Sequence, residues 1–165
     1  MEKLSYCRME SPLGELLLEE NREAITGIWF ADGRFAPSPD SFGGEGEPFR
    51  LAAAWLEDYF SGKRPAPECI PVRLAGSPFQ MLVWEELKQI PYGEVTTYGA
   101  IAKALEQKLG RRVAAQAVGG AVGRNPVSIL IPCHRVVGSD GSLTGYGGGL
   151  WRKEFLLALE QKTKI

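Results

Sequence analysis

The chain has little with which to bind metal or cross-link itself, with one histidine and three cysteines among 165 residues. Cys7, Cys69 and Cys133 are odd in number and follow no framework spacing, which argues against disulfide stapling. A structural zinc site takes four Cys or His ligands. Three scattered cysteines and the single His134 offer no such set, so neither a metal nor another cofactor is expected. No apolar run approaches the roughly 20 residues that span a bilayer. Met1-Glu2-Lys3-Leu4-Ser5 lacks the charged-then-apolar layout of a secretory leader. The expectation is a cytoplasmic protein with no membrane partner. Internal repeats are also missing, and nothing in the pattern marks a second interface, so a monomer is expected.

Charge is scarce only in the sum. The formal net charge is −1, but residues 1–87 carry 8 Lys/Arg against 15 Asp/Glu, a net of −7, and residues 88–165 carry 11 against 5, a net of +6. One half is suited to a polyanion and the other is not. A plain solvated surface explains the same asymmetry, so charge alone decides nothing.

The pattern along the chain divides it at about residue 76. Leu13 to Leu18 and Ala24 to Phe30 are apolar runs around a polar turn, Glu19 to Glu23, and read as strands. Residues 31–48 hold Gly, Pro, Asp and Ser and read as a loop. Phe49, Ala52, Ala53, Leu56 and Phe60 recur at helical spacing up to Ser61-Gly62. The proline-rich stretch 62–76 reads as a linker. An α/β scaffold domain over 1–76 and a mainly helical domain over 77–165 follow. In the second, Ser77, Pro78 and Gln80 make an N-cap, a first-turn proline and a capping-box partner. Phe79, Leu82, Val83, Leu87 and Ile90 supply the buried face, and Pro91-Tyr92-Gly93-Glu94 breaks the helix. Thr97 caps the next, with Tyr98, Ile101, Ala102 and Leu105 inward. After a polar turn, Glu106 to Arg112, comes a small-residue helix with Ala114, Ala117, Val118 and Ala121 on its face. This pair fits a helix-turn-helix. Val127 to Ile131 reads as a short buried strand. A Gly-rich loop over 138–149 contains Tyr146, and a last helix holds Trp151, Phe155, Leu156 and Leu159 and ends near Glu160.

Cys133 and His134 follow Pro132 directly. A thiol becomes a good nucleophile on losing its proton, and an imidazole can take that proton. Adjacent side chains on a strand face opposite ways, so contact between them needs a turn or a bridging water. A carboxylate should orient the histidine, as in any triad, and spacing cannot pick which one. A buried, inert cysteine beside a structural histidine is the competing reading of the same pair.

The wider pattern removes that ambiguity. Asn125-Pro126-Val127-Ser128-Ile129-Leu130-Ile131-Pro132-Cys133-His134-Arg135-Val136-Val137 resembles the active-site signature of the 6-O-methylguanine-DNA methyltransferases, also called methylated-DNA–protein-cysteine methyltransferases. The resemblance takes in Pro78-Phe79-Gln80, Val83-Trp84, Ile90 to Glu94, Thr97-Tyr98-Gly99, Ala117 to Ala121, Gly145-Tyr146 and Lys153 to Leu157, with Ser11 to Gly14 near the start. It implies a small ribonuclease H-like sheet with helices, followed by a helical domain with a winged helix-turn-helix. It implies base flipping and irreversible transfer of an alkyl group from the 6-oxygen of guanine in double-stranded DNA to Cys133, once per chain. His134 would be the base, acting through a water, and Glu160 its orienting carboxylate. Tyr98 would hydrogen-bond the guanine ring nitrogen, and Asn125 would brace the active-site turn. Tyr146 would line the alkyl pocket, and backbone groups of Cys133, Val136 and Gly147 would read base edges. The second helix of the pair would enter the minor groove, with Ala117, Gly120 and Ala121 against the backbone. Arg135 belongs to the signature and has no assigned role.

Two features depart from the family. Its groove wedge is an arginine, and this chain has Gln116, which can hydrogen-bond an orphaned base but lacks the charge and stacking plane of arginine. The Glu106–Arg112 turn is also longer by roughly one helical turn. Its Arg111 and Arg112 are either phosphate contacts or solvated surface. Some family members carry zinc in the N-terminal domain, but that ligand set is missing here. Three rivals make different demands: a lesion binder lacks the acceptor cysteine, a helix-turn-helix regulator needs no Cys-His pair, and a Cys-His hydrolase turns over repeatedly.

Overall fold

A computed structural model describes residues 3–43, 46–143, 145, 146 and 148–164. The chain forms two compact units. The first comprises residues 1–75 and 126–130, and the second residues 76–125 and 131–165. The chain thus leaves the second unit after Asn125, contributes five residues to the first, and returns at Ile131.

In the first unit, β1 (Ser5–Met9), β2 (Leu16–Glu20) and β3 (Ile25–Phe30) form an antiparallel meander in that order. The β1–β2 reversal is Ser11 to Gly14. Reciprocal backbone bonds join its ends, the Ser11 hydroxyl donates to the Gly14 carbonyl, and Gly14 has φ of 101°, which glycine takes without strain. Leu18 lies opposite Cys7 on one side and Ile28 on the other. β1 is not marked by the apolar pattern, because Ser5-Tyr6-Cys7-Arg8-Met9 has no continuous apolar run. Helix α1 (Glu47–Phe60) packs on β2 and β3. It buries Phe49, Ala52, Trp55, Leu56 and Tyr59, so the inward face includes two aromatics in place of the expected Ala53 and Phe60. Trp55 and Tyr59 stack with ring centroids 5.4 Å apart.

Residues 62–76 are not a bare linker. A 3₁₀ turn spans Pro67–Cys69, and Val72 makes a parallel bridge to Ile25, with Ile25 N–H donating to Pro71 and Arg73 N–H to Ile25. The expected strand over 127–131 is reduced to one bridge, Val127 to Ile28. The reason is Ile129, whose φ is 71°, while Leu130 N–H donates to the Ser128 carbonyl at 2.8 Å. That is a γ-turn with positive φ, a conformation rare for a β-branched residue and incompatible with a continuing strand.

The second unit begins with α2 (Pro78–Leu87). Its capping box has both bonds, Gln80 N–H to Ser77 Oγ and Ser77 N–H to Gln80 Oε1. After β4 (Thr96–Thr97), Thr97 caps α3 (Tyr98–Leu109) by accepting from Ala100 N–H. Helix α3 absorbs much of the expected turn, because Glu106, Gln107, Lys108 and Leu109 are all good helix formers. Gly110, with φ of 66°, ends it, and Val113 N–H donates to Glu106 Oε2 at 3.0 Å. Helix α4 (Ala115–Gly123) buries Val118, Ala121 and Val122, whereas Ala114 and Ala117 are exposed. Trp84 Nε1–H donates to the Ala121 carbonyl at 2.8 Å and ties α2 to α4. β5 (Val136–Val137) pairs parallel with β4.

The last helix, α5 (Leu150–Thr163), runs past Glu160 and turns a different face inward from the one its apolar residues predict. Arg152, Lys153, Leu156 and Glu160 are buried, and Trp151 and Phe155 are exposed. A buried charged stripe on a helix requires partners for those charges, and those partners are the candidate site.

Candidate active site

Cys133 is presented by two tight backbone features. Pro132, at φ −82° and ψ 65°, forms an inverse γ-turn in which Cys133 N–H donates to the Ile131 carbonyl at 2.8 Å. A 3₁₀ turn, Cys133–Arg135, follows, closed by Arg135 N–H to Pro132 and Val136 N–H to Cys133. Side chains on a 3₁₀ turn are about 120° apart, not opposed as on a strand. This turn is what the adjacent Cys-His pair needs to serve one site. The Ile131 carbonyl also accepts from Asn125 Nδ2 at 2.8 Å. Asn125 and Ile131 are the exit and return points of the 126–130 excursion, so one side-chain amide fastens the two ends together.

His134 is fully buried, and its Nε2 lies 2.7 Å from Glu160 Oε2. Glu160 is thus the carboxylate that meets the histidine, a choice that spacing could not make. It also accepts from Arg135, Nε to Oε1 at 2.8 Å and Nη2 to Oε2 at 2.9 Å, and from Gly93 N–H at 3.2 Å. Arg135 Nη1 donates to the Ile90 carbonyl at 2.7 Å, and its guanidinium lies 5.5 Å from the centre of the Tyr92 ring. Gln161 Nε2 reaches Gly93 O at 2.6 Å, so the 90–93 turn is held against α5 at several points. Among the described residues, His134 Nδ1 is buried with no protein partner.

The electrostatics follow from this packing. Burial alone would raise the Glu160 carboxyl, but the hydrogen bonds and charges of His134 and Arg135 hold it well below the usual carboxylate range. Burial lowers His134, opposed by Glu160 and reinforced by the cationic Arg135 and Lys153. Burial raises the Cys133 thiol, and the Asn125 side chain and the Lys153 charge pull the other way. Burial, then the neighbouring Cys133, pushes the Tyr146 phenol well up, so Tyr146 stays a neutral hydroxyl beside the sulfur. The resting site therefore favours thiol and neutral imidazole, a pair in which the imidazole can accept the thiol proton as a bond forms at sulfur.

Lys153 and Arg135 are the site residues for which the chain reading had no role. Lys153 is completely buried, with its ammonium 5.9 Å from the centre of the Tyr98 ring. The available signal was Lys153, Leu156 and Glu160 at helical i, i+3, i+7 spacing on α5, a stripe that mixes opposite charges with an apolar residue. Tyr98 opens α3, half-buried. Val136 is buried in β5 with its N–H committed to Cys133. Carbonyls keep a second lone pair, so those of Cys133 and Val136 remain potential acceptors. Gly147 lies outside the described residues.

On α4, Gln116, Ala117 and Gly120 are exposed, whereas Ala121 is buried and holds Trp84. A Cβ added at Gly120 or Gly123 would meet nothing within 4 Å. Nothing inside the unit demands these helical glycines, which cost roughly 0.5–1 kcal/mol each relative to alanine. Lys103, Lys108, Arg111, Arg112 and Arg124 are exposed on or beside the same two helices.

Known proteins place this arrangement. Residues 78–162 match the family model for the 6-O-methylguanine DNA methyltransferase DNA binding domain, and residues 4–74 match that for its ribonuclease-like domain. A methylated-DNA–protein-cysteine methyltransferase of Haemophilus influenzae is 43% identical over 98% of this chain and 88% of its own. One from Methanosarcina acetivorans is 46% identical over 94% and 97%. The crystal structure of Mycobacterium tuberculosis OGT in complex with DNA matches at a TM-score of 0.82 and 37% identity, over 96% of this chain and 94% of that one. With an N-terminal ribonuclease-like domain built on a small sheet and a helical DNA-binding domain carrying Cys133, the chain belongs to the 6-O-methylguanine DNA methyltransferase family.

Proposed function

We propose that this protein repairs DNA by a single, irreversible transfer of a methyl or other alkyl group from the 6-oxygen of guanine to Cys133. The observation that carries the reading is the Glu160–His134 bond at 2.7 Å next to a buried cysteine, in a chain of this family. In the proposed reaction the Cys133 sulfur attacks the alkyl carbon, a carbon–sulfur bond forms and the carbon–oxygen bond breaks. The thiol proton passes through a water to His134 Nδ1, which has no protein partner among the described residues, and Glu160 stabilises the imidazolium. The departing guanine takes a proton at its ring nitrogen, with Tyr98 as the donor. A thioether has no easy hydrolytic exit, so one chain repairs one lesion.

Base flipping is required because an in-line displacement at the alkyl carbon has no room inside a duplex. Residues 77–165 are assigned this work and residues 1–76 a scaffold role. Tyr146 and the backbone of Val136 and Gly147 would line the base pocket, and Asn125 would brace the turn that carries the nucleophile. The exposed Gln116, Ala117 and Gly120 on α4 would face the minor groove, where open space at Gly120 permits close approach of a DNA strand. Ala121 would support that helix from beneath. Arg111 and Arg112 stand beyond the end of α3 as candidate phosphate contacts, and Gln116 is the groove wedge. The protein would act as a cytoplasmic monomer. No helix among the described residues is long and apolar enough to cross a membrane.

Intact-protein mass spectrometry after incubation with an oligonucleotide containing one 6-O-methylguanine tests this. The expected result is one added methyl, saturating at one per chain and mapping to Cys133. Tight lesion binding with no mass change would mean recognition without repair and would overturn the proposal. Gln116→Arg should speed repair of the duplex selectively over reaction with the free alkylated base, and an equal effect on both would show that Gln116 does not act as a weakened wedge.

A further inference from the structure

We infer that Arg135 is a positioning residue for the alkyl transfer: by clasping both oxygens of Glu160 it keeps that group an acceptor, and so fixes the proton of neutral His134 on Nε2 and the free lone pair on Nδ1. The inference rests on the alkyl-transfer reading for its consequence, but not for its geometry.

Glu160 is 1% exposed, and a buried carboxyl without a cationic partner tends to hold its proton. A protonated Glu160 could donate to His134 Nε2. The imidazole would then carry its own proton on Nδ1, and the nitrogen meant to receive the thiol proton would be blocked. The Arg135 fork prevents this. Its Nε and Nη2 reach Oε1 and Oε2 at 2.8 and 2.9 Å, and Gly93 N–H adds a third donor at Oε1. A carboxylate so surrounded can only accept, and its Oε2 also meets His134 Nε2 at 2.7 Å. Nε2 must therefore be the donor, and Nδ1 the acceptor.

The same guanidinium is itself located from outside the pair. Nη1 donates to the Ile90 carbonyl at 2.7 Å, and the Tyr92 ring lies 5.5 Å away. Only a planar, five-donor head can hold a carboxylate with two nitrogens and a backbone carbonyl with a third. Among the described residues, the charged groups that act on His134 are Arg135 on its own turn and Glu160 and Lys153 on α5, while the Cys133 thiol is its chain neighbour and the Tyr146 phenol acts on both Cys133 and Glu160. Arg135 thus has two opposed effects, fixing the tautomer through Glu160 and moderating the basicity of His134 by direct repulsion. A purely structural Arg135, joining the 90–93 turn to α5, would have no influence on which ring nitrogen carries the proton.

The chain has one histidine, so its ring nitrogens can be read without assignment ambiguity. Long-range proton–nitrogen NMR on ¹⁵N-labelled protein distinguishes a protonated, pyrrole-like nitrogen from a bare, pyridine-like one. The wild type should show a pyrrole-like Nε2 and a pyridine-like Nδ1 at neutral pH, before any DNA is added. Arg135→Met should shift the proton toward Nδ1 and slow single-turnover methyl transfer by roughly ten- to a hundredfold. Arg135→Lys keeps a cation beside Glu160, so it should retain the wild-type tautomer and lose less than about tenfold in rate. A proton on Nδ1 in the wild type overturns the inference, as does a folded Arg135→Met that keeps it on Nε2. If Arg135→Met does not fold, the wild-type and Arg135→Lys patterns decide, and Nδ1–H in either overturns it. Because the ring pattern is read without substrate, failure of the alkyl-transfer reading leaves this result distinguishable.

Discussion

Each unit buries a glutamate almost completely, Glu20 at 4% and Glu160 at 1% exposure, and the two are held in opposite ways. Glu20 ends β2 and reaches the start of α1. The N-cap residue there, Gly46, has no side chain to offer, and the Glu20 carboxylate accepts the Phe49 N–H in its place. Its second oxygen has no hydrogen-bond partner among the described residues, and burial raises its pKa. Glu160 has a bidentate arginine, a histidine and a backbone N–H, and its pKa is lowered. Burial penalises both charges, and the partners decide the sign. A carboxylate capping a helix from a neighbouring strand serves stability, whereas one saturated with donors is fixed in charge and position, as an orienting group must be.

Three substitutions probe this contrast. The largest effect is expected at Glu160→Gln, which leaves a buried Arg135 without its counter-charge. It should lose about 3–5 kcal/mol of stability by denaturant titration. Single-turnover methyl transfer should fall by roughly 10²–10⁴-fold. Wild-type stability and rate in that variant would erase the distinction between the two sites. Gly46→Ala comes next. An added Cβ would overlap the Glu20 carboxylate and force it off the helix end, at a cost of roughly 0.5–2 kcal/mol for the lost cap. An unchanged denaturation midpoint would show that Glu20 does not cap α1.

The smallest effect belongs to Glu20→Gln, whose amide oxygen can still accept from Phe49 N–H. At neutral pH the wild type carries a buried charge there, so the variant should be more stable by under about 1 kcal/mol. Because the native carboxyl of Glu20 is raised, it binds its proton more readily than the unfolded chain does. The wild type should gain on the variant as pH falls through that raised value toward the unfolded one, ~4.3. Glu160 behaves in reverse. Its lowered carboxyl contributes stability above about pH 4.3 that is lost as the medium becomes more acid. Thermal melts of both variants across this range would separate the two signs, and parallel pH curves would contradict the pairing described here.

Much of the architecture was legible along the chain because its signals are local. The Ser77-Pro78-Gln80 box, the Thr97 cap and the periodicity of Phe49, Ala52 and Leu56 each act within a few residues, and each appears in the structure. Misreadings arose where polarity or apolarity was weighed above helix propensity, backbone geometry or a distant partner. Glu106 to Leu109 read as a turn from their polarity and are the last turn of α3, with Gln107 and Lys108 exposed. Val127 to Ile131 read as a strand from their apolarity and instead bend at Ile129. On α5, Trp151 and Phe155 point outward while Lys153 and Glu160 are buried, an inversion stable only because Glu160 meets Arg135 and His134.

The site divides along the same line. Cys133 and His134 were nameable from adjacent letters and from the motif around them, because the proposed nucleophile, the proposed base and the turn-forming proline are contiguous. The choice of Glu160 rested on the resemblance, since no spacing rule joins residues 26 apart. Arg135 drew no role from either source. The order of residues determined the helices, the caps and the adjacency of Cys133 and His134, all consequences of short-range geometry. Tertiary packing decided which carboxylate faces the histidine, which ring nitrogen is left to accept a proton, and which buried charges are tolerable. Those outcomes depend on distances across the fold and on removal from water, and neither is written in the neighbourhood of any one residue.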